Sequence, residues 1–173
     1  MYQLEKLQKS DFEEVWTIME DSFPVDERRT REGQRQVIEE EAYRLYGYRK
    51  EGKIAAFFAV WEFESFVFIE HFAVAKEERN GGIGGTLLMQ LIKQLEKKVV
   101  LEVELPNADI AKRRVAFYER NGFFMNQYDY IQPPMSEEGK AIPLRIMSTP
   151  KDLTKQEFEV VRDTLYRRVY KSI

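Results

Sequence analysis

Apolar and polar residues alternate with period two in YQLEKL (2–7), as in a half-buried strand. Helical spacing follows in DFEEVWTIMEDSF (11–23), where Phe12, Val15, Trp16 and Met19 form one stripe behind a Ser10-Asp11 cap. Pro24 stops this helix, and VDERRTREGQRQVIEEEA (25–42) reads as a second, heavily charged helix expected at the surface. The period then returns to two. YRLYGYRKEGKIAAFFAVWEFESFVFIEHFAV (43–74) holds three strand-like runs, divided by a Glu51-Gly52 hairpin turn and a weaker break at Glu62 to Ser65, and predicts an antiparallel meander. RNGGIGGT (79–86) interrupts the pattern and opens a helix, with Ile83, Leu87, Leu91 and Leu95 on one face. VVLEVEL (99–105) is a strand, buried at Val99, Leu101, Val103 and Leu105.

PNADIAKRRVAFYERNGF (106–123) predicts a helix capped near Asn107 or Asp109 and closed by Gly122 in a left-handed conformation. FFMNQYDYI and IPLRIMST are two further strands joined by QPPMSEEGKA (132–141), and Thr154 with Glu157 makes a capping box for a last helix ending near Tyr170. No repeat, low-complexity tract or linker divides the chain. Residues 1–173 are therefore expected to be a single domain, with its core in 1–149 and an added C-terminal helix at about 153–170.

Composition narrows the class. The chain has 173 residues, 43% apolar and 33% charged, with twelve Phe and nine Tyr, as in an ordinary globular domain with a bulky interior. The absence of Cys removes disulfide frameworks, thiolate metal sites and cysteine nucleophiles together, and weakly favours a reducing compartment. The first residues lack the basic start and apolar run of a signal peptide, and no window approaches the ~20 apolar residues of a membrane span. The sequence thus reads as cytoplasmic and without a membrane partner. A net charge of −3 with intermixed signs gives no broad basic field for nucleic acid, and the locally basic RDTLYRRVYK offsets the negative end of a terminal helix.

Four glycines between Arg79 and Thr86 stand where a strand turns into a helix. Such a turn points several backbone N–H groups and the positive end of the helix dipole at one place, which suits a phosphate. A sharp turn alone is the plainer reading. A nucleotide-triphosphate loop fails, because Gly85 is followed by Thr86 and Leu87 rather than Lys. A dinucleotide fingerprint would begin at Gly82 and Gly84 but meets Leu87 at its third glycine; Glu102, twenty residues on, rescues it only in part.

Arg79, Gly82 and Gly84 also spell R-x-x-G-x-G, and RRVAFYERNGF ends in Tyr-x-x-x-Gly-Phe. With FIEHFAVAKEERNGGIGGTLL and the element order over 1–149, the sequence resembles the GNAT superfamily of acetyl-CoA-dependent N-acetyltransferases. The resemblance implies an α/β fold of the α+β type, a mixed and mostly antiparallel central sheet flanked by helices, here with an extra C-terminal helix. It implies acetyl-CoA as acetyl donor, without a metal. It assigns the backbone of Phe72, Ala73 and Val74 to the pantetheine arm, and Arg79, Gly81, Gly82, Ile83, Gly84, Gly85 and Thr86 to the pyrophosphate loop. Tyr118 takes the position of a proton donor to the cofactor sulfur. Ala111 stands where many relatives carry Asn.

Glu70 is the candidate base. Alternation in VFIEHFAV places it on one face with Phe66, Phe68, Phe72 and Val74, where burial would raise its pKa, while His71 points to the other face and is structural. DSFPVDERR with Glu62 and Glu64 would suit a cationic amine, although solvated charge explains them equally. The expected function is acetyl transfer to a primary amine of a small molecule or protein, with a homodimer left open. A non-catalytic acyl-CoA sensor and a dinucleotide-binding oxidoreductase are the alternatives.

Overall fold

Each change of period in the sequence becomes an element in the computed structural model, which describes residues 2–137 and 139–172. The alternating middle forms β2 (Tyr43–Lys50), β3 (Lys53–Glu62) and β4 (Val67–Val74), with β1 (Leu4–Lys6) added antiparallel to β2. Glu51 (φ 52°) and Gly52 (φ 81°) are both left-handed, the turn geometry that matches strand twist. β5 (Val99–Glu104) lies parallel to β4, so the chain must cross over a sheet face, and α3 (Ile83–Leu95) makes that crossing. α4 (Asp109–Arg120) then leads to β6 (Phe124–Gln132) and β7 (Ile142–Thr149). The seven strands are ordered β1-β2-β3-β4-β5-β7-β6, all antiparallel except β4 with β5. The fold is thus α/β with a mixed, mostly antiparallel sheet, as expected.

Two cores cover the two faces. On one, Leu87, Leu88 and Leu91 of α3 are fully buried against Ala56, Phe58, Val60 and Val67, with α4 alongside. On the other, α1 (Phe12–Ser22), α2 (Arg31–Val37) and α5 (Lys155–Thr164) pack on Phe57, Trp61, Phe66, Phe68 and Ile146. No helix among the described residues is long and apolar enough to cross a membrane. Glu138, in the connection between β6 and β7, lies outside the described residues.

The segment 25–42 departs from its reading as one surface helix. A tight turn at Val25–Glu27 comes first, and the helix proper starts only after Thr30, whose hydroxyl accepts the Gly33 N–H. Arg29 and Gln34 are buried, because this connection is drawn over the sheet rather than into solvent. α4 has Ala108 at its N-cap with no side-chain bond, instead of Asn107 or Asp109. The capping box at Thr154 and Glu157 is present as expected.

Asn126 seats the last helix. Its amide donates to Ile146 O and Ser148 Oγ, both at 3.0 Å, and its Oδ1 accepts the Leu153 N–H at 2.7 Å. All of these groups are withdrawn from water. Asn126→Ala leaves a buried N–H without an acceptor and should cost about 2 kcal/mol, or roughly 4–8 °C in thermal midpoint. An unchanged midpoint would show that water replaces the amide.

Candidate active site

β4 and β5 pair only from Val67 with Val99 to Ile69 with Leu101. Beyond that both strands continue, to Val74 and Glu104, without pairing to each other. The cause lies on the other edge of β4. Ala59 of β3 pairs with His71 and Val60 with Ile69, so Glu70 is an extra residue with no partner. Such a bulge bends the strand and sharpens its twist, which turns β4 away from β5. The two strands open on a cleft of 640 Å³, walled also by the Asp21–Glu27 stretch, Tyr118 of α4 and Gln132, Ile142 and Leu144.

The bulge also corrects the expected faces. Glu70 and His71 both lie on the side of α1 and α2, whereas Phe72 and Val74 belong to the α3 side. The Glu70 side chain is 1% exposed, accepts Trp61 Nε1–H at 2.7 Å and is ion-paired with Arg29 at 2.7 Å. Burial by itself would raise its pKa, but the adjacent Arg29 and the Trp61 bond outweigh it and hold the carboxyl below its ordinary value. The expected raised pKa is therefore overturned: Glu70 is a compensated ion. His71 has its pKa lowered by burial and so is neutral, with Nε2–H donating to Glu27 O at 2.8 Å.

Glu102 has the property expected of Glu70. It stands on β5 at the edge of the cleft, accepting from Tyr130 Oη, Gln132 Nε2 and the Tyr170 hydroxyl. Despite three donors, burial pushes its pKa up to about 7, and the nearby Glu70 charge adds to the rise. The sequence alone offers Glu102 as one acid in an alternating strand and as the partial rescue of a dinucleotide fingerprint, not as a base. Its partners lie 28, 30 and 68 residues further on, and no local pattern joins them.

Tyr118, in the last turn of α4, stands edge-on to Phe117 and Phe123 with ring centres 5.2 and 5.5 Å away. Burial pushes its phenol up to about 12, so it stays protonated at the cleft wall. The glycine loop leads into α3, whose N-cap Gly82 (φ 75°) provides no side-chain cap, leaving the first amides of the helix open. Gly82 is the one loop glycine that requires the left-handed region; Asn80 (φ 70°) shares it. Gly84 does not require it. A Cβ there would lie 3.5 Å from the Phe72 ring and 3.8 Å from Phe117, ordinary contact distances, so a methyl fits and only a larger side chain would press on these rings. Arg79 is held within the protein: Nε donates to Val74 O at 2.9 Å and a terminal nitrogen reaches Ser22 Oγ at 3.0 Å. Glu62 and Glu64 line a different groove with Arg44, away from the cleft. Ala111 is buried and offers no polar contact.

The sequence over residues 2–123 matches the profile of the Acetyltransferase (GNAT) family. The chain belongs to that family. A solved structure described as a "Putative acetyltransferase from GNAT family from Bacteroides thetaiotaomicron" is 30% identical, covers 99% of each chain and superposes with a TM-score of 0.91. The curated "Putative acetyltransferase YjbC" of Bacillus subtilis (strain 168) is 32% identical over 103 residues, which are 58% of this chain and 52% of that protein, so the chain spans about half of that relative's length. The ribosomal-protein-S18-alanine N-acetyltransferase of Escherichia coli shares the fold at TM-score 0.67 and 23% identity, over 90% of this chain and 97% of that one. The meander and the single parallel pair leave no two-half nucleotide sheet, so the dinucleotide reading falls.

The ion pair gives a stability prediction. Glu70→Gln leaves the Arg29 guanidinium buried without a counter-charge, so it should cost about 3–5 kcal/mol in urea unfolding at pH 7. Because the folded-state pKa of Glu70 is depressed, its contribution is present above the ordinary value of 4.5 and lost as pH falls through the lower folded value. The deficit of the variant should therefore shrink in acid. Equal stability at pH 7 would contradict the pairing.

Proposed function

We propose that the protein transfers the acetyl group of acetyl-CoA to a primary amine, with Glu102 accepting the proton of the amine and Tyr118 donating one to the leaving thiolate. One observation carries this reading. A carboxyl with its pKa near 7 and a phenol kept protonated line the same cleft, so one group there can take a proton at neutral pH and another has a proton to give.

The residues around the split strands fit the donor. The open amides at Gly82 to Gly85 and the α3 dipole suit a pyrophosphate with Thr86 beside it, and the β5-facing backbone of Phe72, Ala73 and Val74 can pair with an extended pantetheine arm. Arg79 closes the rim between them. When bound, acetyl-CoA supplies the thioester that the amine attacks. Glu102 takes one proton from the ammonium and frees its lone pair. Tyr118 protonates the departing sulfur and regains a proton from the acylated nitrogen. The net proton leaves from Glu102 to solvent, which balances the transfer.

Charge favours a cationic acceptor. Asp26, Glu27 and Glu102 line the cleft without an ion-pair partner among the described residues, while Asp21, Glu70 and Glu104 are paired with Arg79, Arg29 and Arg114. An acceptor carrying a carboxylate would find no free counter-ion there among the described residues. The acceptor is accordingly a small-molecule or peptide amine with no nearby negative charge, in keeping with a cytoplasmic enzyme that needs neither nucleic acid nor membrane.

Thiol release from acetyl-CoA should follow the order pentane-1,5-diamine, pentylamine, 5-aminopentanoate. Glu102→Gln should lower kcat by about 10²- to 10⁴-fold with CoA affinity unchanged. A preference for the anionic amine would overturn the acceptor class. CoA binding with no amine-dependent thiol release from any acceptor would replace the enzyme by an acyl-CoA sensor.

A further inference from the structure

The last helix reaches the cleft from behind. After Thr164 the chain makes one wide turn, Leu165–Val169, in which the Tyr170 N–H spans five residues to Leu165 O at 3.0 Å. Leu165 and Val169 anchor this turn in the core. The extra residue rotates the end of the chain relative to a regular helix, and wide turns of this kind recur at functional sites. Directly after the turn stands Tyr170, whose hydroxyl lies 2.8 Å from Oε1 and 2.9 Å from Oε2 of Glu102.

A hydroxyl carries one proton, so Tyr170 donates to one carboxylate oxygen at a time, with the other equally within reach. Tyr130 and Gln132 donate one bond each. Three donors meet a carboxylate with about four acceptor positions, which leaves room for one more N–H, that of an ammonium. We propose that Tyr170 is a positioning residue: it fixes the rotation of the Glu102 carboxylate and keeps one acceptor position turned to the amine, making the C-terminal helix part of the active site. This rests on Glu102 as the proton acceptor.

The groups facing Glu102 are Tyr130 and Gln132 from β6, Glu70 from β4 with its counter-ion Arg29, and Tyr170. Glu70 is held ionised, and Tyr130 and Tyr170 are pushed well above their ordinary value by burial, so Glu102 alone among them titrates near neutrality. Tyr170→Phe removes a donor to the charged form while keeping the ring. The Glu102 midpoint should rise by about one pH unit.

The test is a carboxyl carbon NMR titration of Glu102 in the full chain, alongside the pH profile of kcat/KM and calorimetry with CoA. Tyr166→Phe is the control, since that hydroxyl donates to Ile131 O instead. The expected result is a raised midpoint in Tyr170→Phe, an acid limb that rises with it, unchanged CoA affinity and an unmoved Tyr166→Phe. An unmoved midpoint in Tyr170→Phe overturns the positioning role. So does a joint loss of thermal stability and CoA affinity, which would make Tyr170 a packing residue. A raised midpoint with no accompanying limb supports the contact and overturns instead the assignment of Glu102 as base.

Discussion

The buried bond between Glu70 and Arg29 is the constraint on which the rest of the site depends. Glu70 is the extra residue of the β4 bulge, and its side chain is fixed on the α1 and α2 face by Arg29 and Trp61. With the bulge held there, β4 leaves β5 after Ile69, and the cleft opens at that place in the sheet. Arg29 comes from the connection between α1 and α2, so the clamp also draws Phe23 to Glu27 across the cleft to form its acidic wall. A buried pair of this kind adds little net stability over an apolar core, but losing one partner is costly, which makes the geometry hard to relax.

Two carboxylates on neighbouring strands thus acquire opposite characters. Glu70 faces a guanidinium and stays charged, whereas Glu102 faces only neutral donors and the charge of Glu70, and sits near the neutral point of its titration. The ion that shapes the cleft also raises the proton affinity of the group across it. Tyr118 completes the set from the α4 side, kept neutral by its apolar neighbours.

Much of this was legible in the sequence and some was not, for physical reasons. The element order followed from clear changes of period, and the turn at Glu51-Gly52 and the box at Thr154-Glu157 from local chemistry that needs no tertiary context. The turn from β4 into α3 was legible because four glycines in eight residues mark a change of period, and the placing of Tyr118 in a helix because RRVAFYER keeps helical spacing up to Gly122. The bulge was not: VFIEHFAV reads as unbroken alternation, and nothing in it marks the residue at which both Glu70 and His71 turn to one face. Glu102 was hidden for a related reason, since its proton affinity is set by groups from β4, β6 and the end of the chain. The burial of Arg29 and Gln34 likewise depends on partners in β4 and β2 rather than on their polar neighbours.

The central claim is that the split between β4 and β5, together with the open start of α3, holds an acyl-CoA. Hydrogen–deuterium exchange with and without CoA reads those backbone groups directly. The account predicts new protection over Phe72 to Val74 and over Gly82 to Thr86, with β1 and β2 unaffected, because the first two segments, unlike β1 and β2, have strand-edge or helix-start amides facing the cleft. Binding of CoA with no change in either segment, or with protection confined to other elements, would contradict it.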